Sequence, residues 1–224
     1  FGSSLVALPL LLLLFPGQQI GITTMLITFN VVLNVLLLFE NKGYQLSNIK
    51  RVFPITLTGV IFTIIGISLL KNINPSTISY IALGLLIFAI LIKLYHMYFD
   101  NPIHLKPSLP LQVVVGAMSG FGNGIAAIDG PPVVFYLTGT NADKVTFKNT
   151  FAMNSLVMGI IGMITLLINK LYTTEFFVYT IALVVFTSIG LFIGMLISKK
   201  LNEKAFNTVV VLILMALVIK ILFF

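Results

Sequence analysis

The 224-residue chain is 58% hydrophobic and 8% charged, with a mean hydropathy of +1.12. An average soluble domain carries roughly 25% charged residues, so this composition excludes one and indicates a polytopic membrane protein. The net charge of +7 comes from basic residues in short loops between apolar spans, with no basic face or aromatic reading surface, and so points to membrane orientation rather than to nucleic acid.

In chain order, residues 1–15 (FGSSLVALPLLLLLF) are apolar but fall short of the roughly 20 residues needed to span. They lack the basic n-region and cleavage site of a signal peptide, and they are expected to be half of a unit whose upstream helix precedes Phe1. Pro16-Gly17-Gln18-Gln19 is a turn. Residues 20–39 form a full span carrying Thr23, Thr24, Thr28, Asn30 and Asn34. A charged loop from Glu40 to Arg51 leads to span 52–70, and Lys71-Asn72-Ile73-Asn74-Pro75 joins it to span 76–95. The stretch from His96 to Pro110 holds Pro102, Pro107 and Pro110; within it, residues 99–109 are a cytoplasmic linker between a first unit, 1–98, and a second, 110–224.

The second unit repeats the pattern of the first. A segment broken by Gly and Pro, 110–139, is followed by a loop at Thr140 to Lys144 and by spans near 146–168, 176–198 and 205–224. Gly2-Ser3-Ser4-Leu5-Val6 lies over Gly130-Pro131-Pro132-Val133-Val134, and the polar-faced span 20–39 over 146–168. An internal duplication is the economical explanation, and interrupted segments at matching places in two halves point to a transporter's binding site. Segment 110–139 is too long for one straight span and too short for two. If it crosses as a broken helix, the basic residues divide seven (Lys42, Lys50, Arg51, Lys93, Lys106, Lys170, Lys220) against six. If it is a re-entrant hairpin of two half-helices of about 10 residues each, they divide ten (Lys42, Lys50, Arg51, Lys93, Lys106, Lys144, Lys148, Lys199, Lys200, Lys204) against three. The positive-inside bias selects the hairpin. Each half then crosses an odd number of times. The expected fold is therefore an all-α polytopic membrane protein of two inverted repeats, each one broken re-entrant hairpin plus three transmembrane helices.

Ala127-Ile128-Asp129-Gly130-Pro131-Pro132-Val133-Val134-Phe135-Tyr136-Leu137 resembles the G-x-G-G-P-P-x-x-x-Y-L motif of the sulfite exporter TauE/SafE family, also called the toluene sulfonate uptake permease family. Phe147-Lys148-Asn149-Thr150 is similar to that family's F-R-x-T, and Gly2-Ser3-Ser4 with Pro9, then Ile20-Gly21-Ile22-Thr23-Thr24, to its first-repeat G-x-G-G-G…P and A-x-G-T-S. The resemblance covers essentially the whole chain. It implies a membrane transporter, mostly an exporter, of small sulfur-containing or organic anions such as sulfite, sulfonates and sulfoacetate. Ala127, Asp129, Ser3 and Ser4 stand where the family has glycines, and Lys148 where it has arginine, so the mechanism carries over better than the substrate.

A helix N-terminus presents unpaired N–H groups and about half a positive charge. Two such ends, after Gly2 and after Gly130, would form a paired anion cradle. Pro131 and Pro132 have no N–H, which leaves Gly130, Val133, Ser3 and Ser4 as donors. The stripe Gly116, Gly120, Gly124 is assigned to helix packing instead. Asp129 is the one acid placed deep in the membrane. It is either functional, the default for an intramembrane acid, or an N-cap before a proline-started helix. An ionised carboxylate would repel a bound anion and burial favours the neutral form, so proton coupling through Asp129 is one hypothesis and a cationic or neutral substrate another. Thr23, Asn30 and Asn34 share one helical face, and Thr150 and Asn154 share one on the matching span. The expected substrate site is Gly2, Ser3, Ser4, Thr23, Asn30, Asn34, Asp129, Gly130, Pro131, Thr150 and Asn154, at the bilayer centre. His96 and His104 have no third ligand and no cysteine is present, so no metal is expected. No serine has a buried His or Lys partner at suggestive spacing, which argues against an enzyme. There is no nucleotide-binding motif and no cofactor is expected, so energy would come from gradients. The expected partners are a small anionic solute and the lipid bilayer; the rival function is a cation or neutral-solute carrier, or a non-transporting scaffold or sensor on the same fold.

Overall fold

The computed structural model describes residues 3–15, 17–41, 50, 52–98, 104–172, 174–198 and 208–219 apart from 210 and 217. Among the described residues eight helices lie in order: α1 Ser3–Leu14, α2 Gln19–Asn41, α3 Phe53–Leu70, α4 Pro75–Tyr98, α5 Leu109–Ala126, α6 Gly130–Gly139, α7 Lys144–Ile168 and α8 Thr174–Ser198. Further helix follows among the described residues of 208–219, and no strand occurs among the described residues. Among the described residues five helices are long and apolar enough to cross a membrane, over 19–39, 53–70, 76–95, 109–126 and 144–168; α8 carries a shorter apolar run, Val178–Gly190. The protein is an all-helical, multi-pass membrane protein.

The direction of each helix follows from which residues meet. Side chains begun at Gly159 and Gly162 of α7 would meet Val31 and Ile27 of α2. One number rises as the other falls, so α2 and α7 are antiparallel. Thr56 bonds Asn154, and Gly59 and Thr63 lie against Met158 and Gly162, so α3 and α7 are parallel. Gly116, Gly120 and Gly124 of α5 meet Ile55, Gly59 and Gly66 of α3, so α5 is parallel to both. Because α5 and α7 start at the same end of the bundle, the intervening α6 must return to that end. Its contacts agree: the Leu105 N–H donates to the Gly139 carbonyl at 2.7 Å, the Gln112 amide to Tyr136 Oη at 2.6 Å, and Ser119 Oγ to the Asp129 carbonyl at 2.7 Å.

Segment 109–139 is thus a hairpin, but an unequal one. Two arms of about 10 residues were expected from its length. The observed arms have 18 and 10 residues, or about 27 and 15 Å. The glycine run does not break α5. It stays helical because α3 packs against its bare backbone: a Cβ at Gly124 would lie 2.6 Å from the Thr63 carbonyl and 3.0 Å from Gly66 Cα. Small residues on both helices allow this approach, the usual source of helix affinity in lipid. The break falls three residues later, at Ala127, which adopts the left-handed conformation (φ 53°).

Among the described residues, Lys50, Lys93, Lys106, Lys144 and Lys148 lie towards the end where α3, α5 and α7 start, and Lys71 and Lys170 at the other. Asp143 caps α7 at the first end, accepting from the Val145 and Thr146 N–H groups at 3.1 and 3.0 Å. Bonds from the Thr146 hydroxyl and these N–H groups hold its carboxyl below the usual range. The cap is therefore complete above a carboxylate's ordinary pKa and is lost as pH falls through the lowered one.

Gly120→Ala is expected to lower stability by about 1–3 kcal/mol, the usual range for overpacking, because its Cβ would meet the Gly59 backbone. Gly84→Ala, on an α4 face where a Cβ meets nothing, is expected to leave stability unchanged or raise it. Thermal unfolding of both variants in detergent checks this.

Candidate functional site

The site is built around three residues that are not helical. α5 ends at Ala126, Ala127 to Asp129 turn the chain, and α6 starts at Gly130. In water the freed carbonyls would be hydrated, but within a bilayer only protein or a water-lined cavity can pair them. α2 does so. Thr23 Oγ1 donates to the Ile125 carbonyl at 3.1 Å, and Asn30 Nδ2 to the Ala127 carbonyl at 3.2 Å. Seven residues separate Thr23 from Asn30, two turns on one face of α2. The same Asn30 amide donates to Ser4 Oγ at 2.9 Å, and its carbonyl oxygen accepts from Ser3 Oγ at 3.4 Å. One side chain thus ties the start of α1 to the break before α6. Asn34 Nδ2 donates to the Asn30 carbonyl at 2.8 Å.

A cavity of about 20 Å³ opens at this point, lined by Ser3, Ser4, Asn30, Asn34, Asp129, Gly130 and Ser155 with Leu5, Leu33, Ile128 and Phe151. Its depth can be counted along three helices. Gly130 begins a 10-residue helix ending at the Leu105 end of the bundle, Asn30 lies 11 residues before Asn41, and Ser155 lies 11 after Lys144. At 1.5 Å per residue these give about 15–17 Å, close to half of a hydrocarbon core of about 30 Å. α6 runs from the cavity to that end, and α1 to the opposite end, where α2 starts. Two short helices therefore begin at one cavity and leave in opposite directions.

Of the residues singled out from the sequence, Ser3, Ser4, Asn30, Asn34, Asp129 and Gly130 meet at this cavity. Thr23 and Pro131 are buried beside it but do not line it. Thr150 and Asn154 are fully buried on α7; Asn154 Oδ1 accepts from Thr56 Oγ1 at 2.7 Å, while Thr150 Oγ1 and Asn154 Nδ2 have no hydrogen-bond partner among the described residues. Gly2 lies outside the described residues. Val133 is buried in the first turn of α6 and is not among the lining residues.

Asp129 occupies the N-cap position of α6, yet its side chain makes no capping bond. The reason is chemical. A cap accepts from the N–H of the second or third helical residue, and these are Pro131 and Pro132, which have none. The carboxylate turns instead to Ser155 Oγ on α7, a short contact through Oδ2, while Ser119 holds its backbone carbonyl. Ser155 was not singled out from the sequence. The signal available was its place one residue beyond Asn154, next to a prolyl pair that denies Asp129 its local partners.

Ala127 stands where glycine would adopt a left-handed φ without cost, and a non-glycine residue there costs about 1–2 kcal/mol. Ala127→Gly is expected to raise the unfolding free energy by about 1 kcal/mol, measured as a higher Tm in detergent. An unchanged or lower Tm would show that Ala127 is not strained.

The family described as Sulfite exporter TauE/SafE matches residues 1–221. No curated protein and no solved structure matches the chain. The chain belongs to the sulfite exporter TauE/SafE family, a family of membrane transporters.

Proposed function

We propose that this member of the family is a secondary transporter that exports a small sulfur-containing or organic anion, such as sulfite or a sulfonate, and that a proton carried on Asp129 is coupled to the movement. The observation that carries this is the convergence of two helix starts, from opposite ends of the bundle, on a polar cavity half-way through it that also holds a carboxyl group. Helix starts favour anions without a buried lysine. The Ser3 and Ser4 hydroxyls at the start of α1 would contact the anion directly, with Asn30, Asn34 and Gly130 around it.

The two halves, 1–98 and 110–224 with 99–109 between them, are proposed to be inverted repeats. Supporting this, α2 runs antiparallel to its counterpart α7, and α3, which starts at the same end as α7, runs opposite to α8. The end richer in lysine is proposed to be cytoplasmic, in a plasma or inner membrane. A cavity of about 20 Å³ has room for about one water, so a four-atom anion requires α1 and α6 to separate. Movement of one repeat against the other around a fixed central site would expose it to each side in turn. Thr23, Pro131, Thr150, Asn154 and Gly2 complete the proposed site in such rearranged states. The unpartnered polar atoms of Thr150 and Asn154 support this, because a buried group left unpaired costs about 1–3 kcal/mol.

One observation favours a second reading. Among the described residues no Lys, Arg or His lines the cavity, and the two prolines remove N–H donors from the start of α6, which suits a neutral or cationic solute. A scaffold or sensor on this fold would move nothing.

Flux in proteoliposomes loaded with sulfite, sulfoacetate, taurine or thiosulfate is expected for at least one of them, rising as pH falls because an ionised Asp129 repels the anion. Asp129→Asn should retain binding and lose the pH dependence. Tighter anion binding by the Asn variant together with no anion flux would favour the second reading, and no flux of any solute by folded protein would favour a scaffold or sensor.

The chain has no cysteine, so Lys144→Cys gives a single thiol for an impermeant reagent. It is expected to react only from the cytoplasmic side; reaction from outside would reverse the proposed orientation.

A further inference from the structure

A hydroxyl on an apolar helix has a default partner, the carbonyl one turn back, which pairs it without help from another element. Thr24, Thr58, Thr138, Thr165 and Ser188 all donate to the carbonyl four residues before them. Ser155 does otherwise. Its Oγ crosses from α7 to Oδ2 of Asp129, in the break before α6, although it is only 5% exposed and lines the cavity. A buried hydroxyl that reaches across helices to a carboxyl, when a local acceptor lies four residues away, marks that contact as the stronger one.

The surroundings of Asp129 make this contact decisive. Ser119 on α5 holds the Asp129 backbone carbonyl and not its side chain, and the side chain makes no capping bond. From α1 the cavity receives Ser3 and Ser4, from α2 Asn30 and Asn34, and from α7 Ser155. Among the described residues that line it, Asp129 is the one charged or titratable group. Its proton equilibrium is therefore governed by the dipoles that touch it, and Ser155 is the dipole in contact.

A serine differs in kind from a helix cap. A backbone N–H can only donate, so a capped carboxylate loses its bond when it takes a proton. A hydroxyl both donates and accepts. With Asp129 ionised, Ser155 donates to it; with Asp129 protonated, the acid O–H donates to Ser155 Oγ, whose own proton turns to the carbonyl of Phe151, its default acceptor one turn back. The bond reverses direction and the carboxyl stays where it is.

We propose that Ser155 is the positioning residue for proton loading on Asp129: it holds the carboxyl at the cavity in both proton states and sets the pH at which the proton is taken up. The proposal rests on the reading of Asp129 as the proton carrier. It goes beyond that reading in assigning the control of loading to a residue of α7, the helix against which the break before α6 must move.

The test is infrared titration of the Asp129 carboxyl in purified protein, its C=O band identified by loss in Asp129→Asn; this needs neither solute nor transport. Ser155→Ala removes a donor used by the ionised form, so half-protonation is expected to move to higher pH by about one unit, since a hydrogen bond to a charged group outweighs one to a neutral group by roughly that much. The C=O band of the protonated acid is also expected to rise in frequency as its O–H loses its acceptor. Ser155→Thr keeps the hydroxyl and should restore both values. Ser155→Cys, a weaker donor, should fall between and serves as the test where the Ala variant does not fold. An unchanged midpoint in the Ala or Cys variant, or a Thr variant that behaves like Ala, overturns the proposal. The midpoint of anion flux should move with the band. Wild-type protein that shows the band and its shift but no flux would remove the transport reading and leave the positioning role standing, whereas flux with an unmoved band would do the reverse.

Discussion

Everything near the centre of this protein depends on how backbone groups freed at Ala127–Asp129 are paired where water is scarce. A three-residue interruption is trivial at a protein surface and costly in hydrocarbon, where each unpaired group costs several kcal/mol. The polar residues scattered over otherwise apolar helices follow from this need. Thr23 and Asn30 on α2 take two carbonyls, Ser119 on α5 takes a third, and Ser155 on α7 takes the Asp129 side chain. The Thr63 hydroxyl on α3 donates to the Gly120 carbonyl at 3.2 Å, where the glycine stripe brings the two helices together. Helices α2, α5 and α7 are thereby fixed around one break, and the cavity is the small space left between α1, α2, α7 and the start of α6.

The same requirement explains which parts of the fold could be read from the sequence. Span positions depend on apolar runs, and the hairpin on the balance of lysines, so both were legible. The length of α5 was not. Glycines at 116, 120 and 124 weaken a helix by propensity, and only the opposing α3 backbone at Ile55, Gly59, Thr63 and Gly66, distant in sequence, turns that weakness into close packing. At the site, Ser3, Ser4, Asn30, Asn34, Asp129 and Gly130 were legible because each is polar or conformationally special in an apolar setting. Ser155 was not, because a lone serine on a helix ordinarily bonds its own backbone. Nor did the capping role open to Asp129 take account of the missing N–H groups of Pro131 and Pro132, although those are written in the sequence.

The two helix starts at the cavity are chemically unequal. α1 begins with two hydroxyl-bearing serines joined to Asn30, whereas α6 begins with a glycine, two prolines and an acid. An anion would therefore find most of its donors on the α1 side and a carboxyl on the α6 side. This polarity suits a solute whose charge is met at one end and whose proton, or proton-bearing group, is met at the other. The Asp129 side chain bonds Ser155 on α7 rather than a backbone N–H of its own helix, which leaves it open to the coupling role proposed for it.

Asymmetry between the halves runs further than these helix starts. On α2 the face from Thr23 to Asn34 is bonded, to Ile125, Ala127, Ser4 and its own turn, while Gln19 Oε1 at the start of that helix has no hydrogen-bond partner among the described residues. On α7 the corresponding face leaves Thr150 Oγ1 and one amide nitrogen of Asn154 unpaired, with Thr56 holding only the other end of that amide. Under the proposed inverted-repeat reading, one bonded and one partly unbonded face is the difference that two conformations of one unit would carry, and an exchange between them would remake on one side the bonds broken on the other.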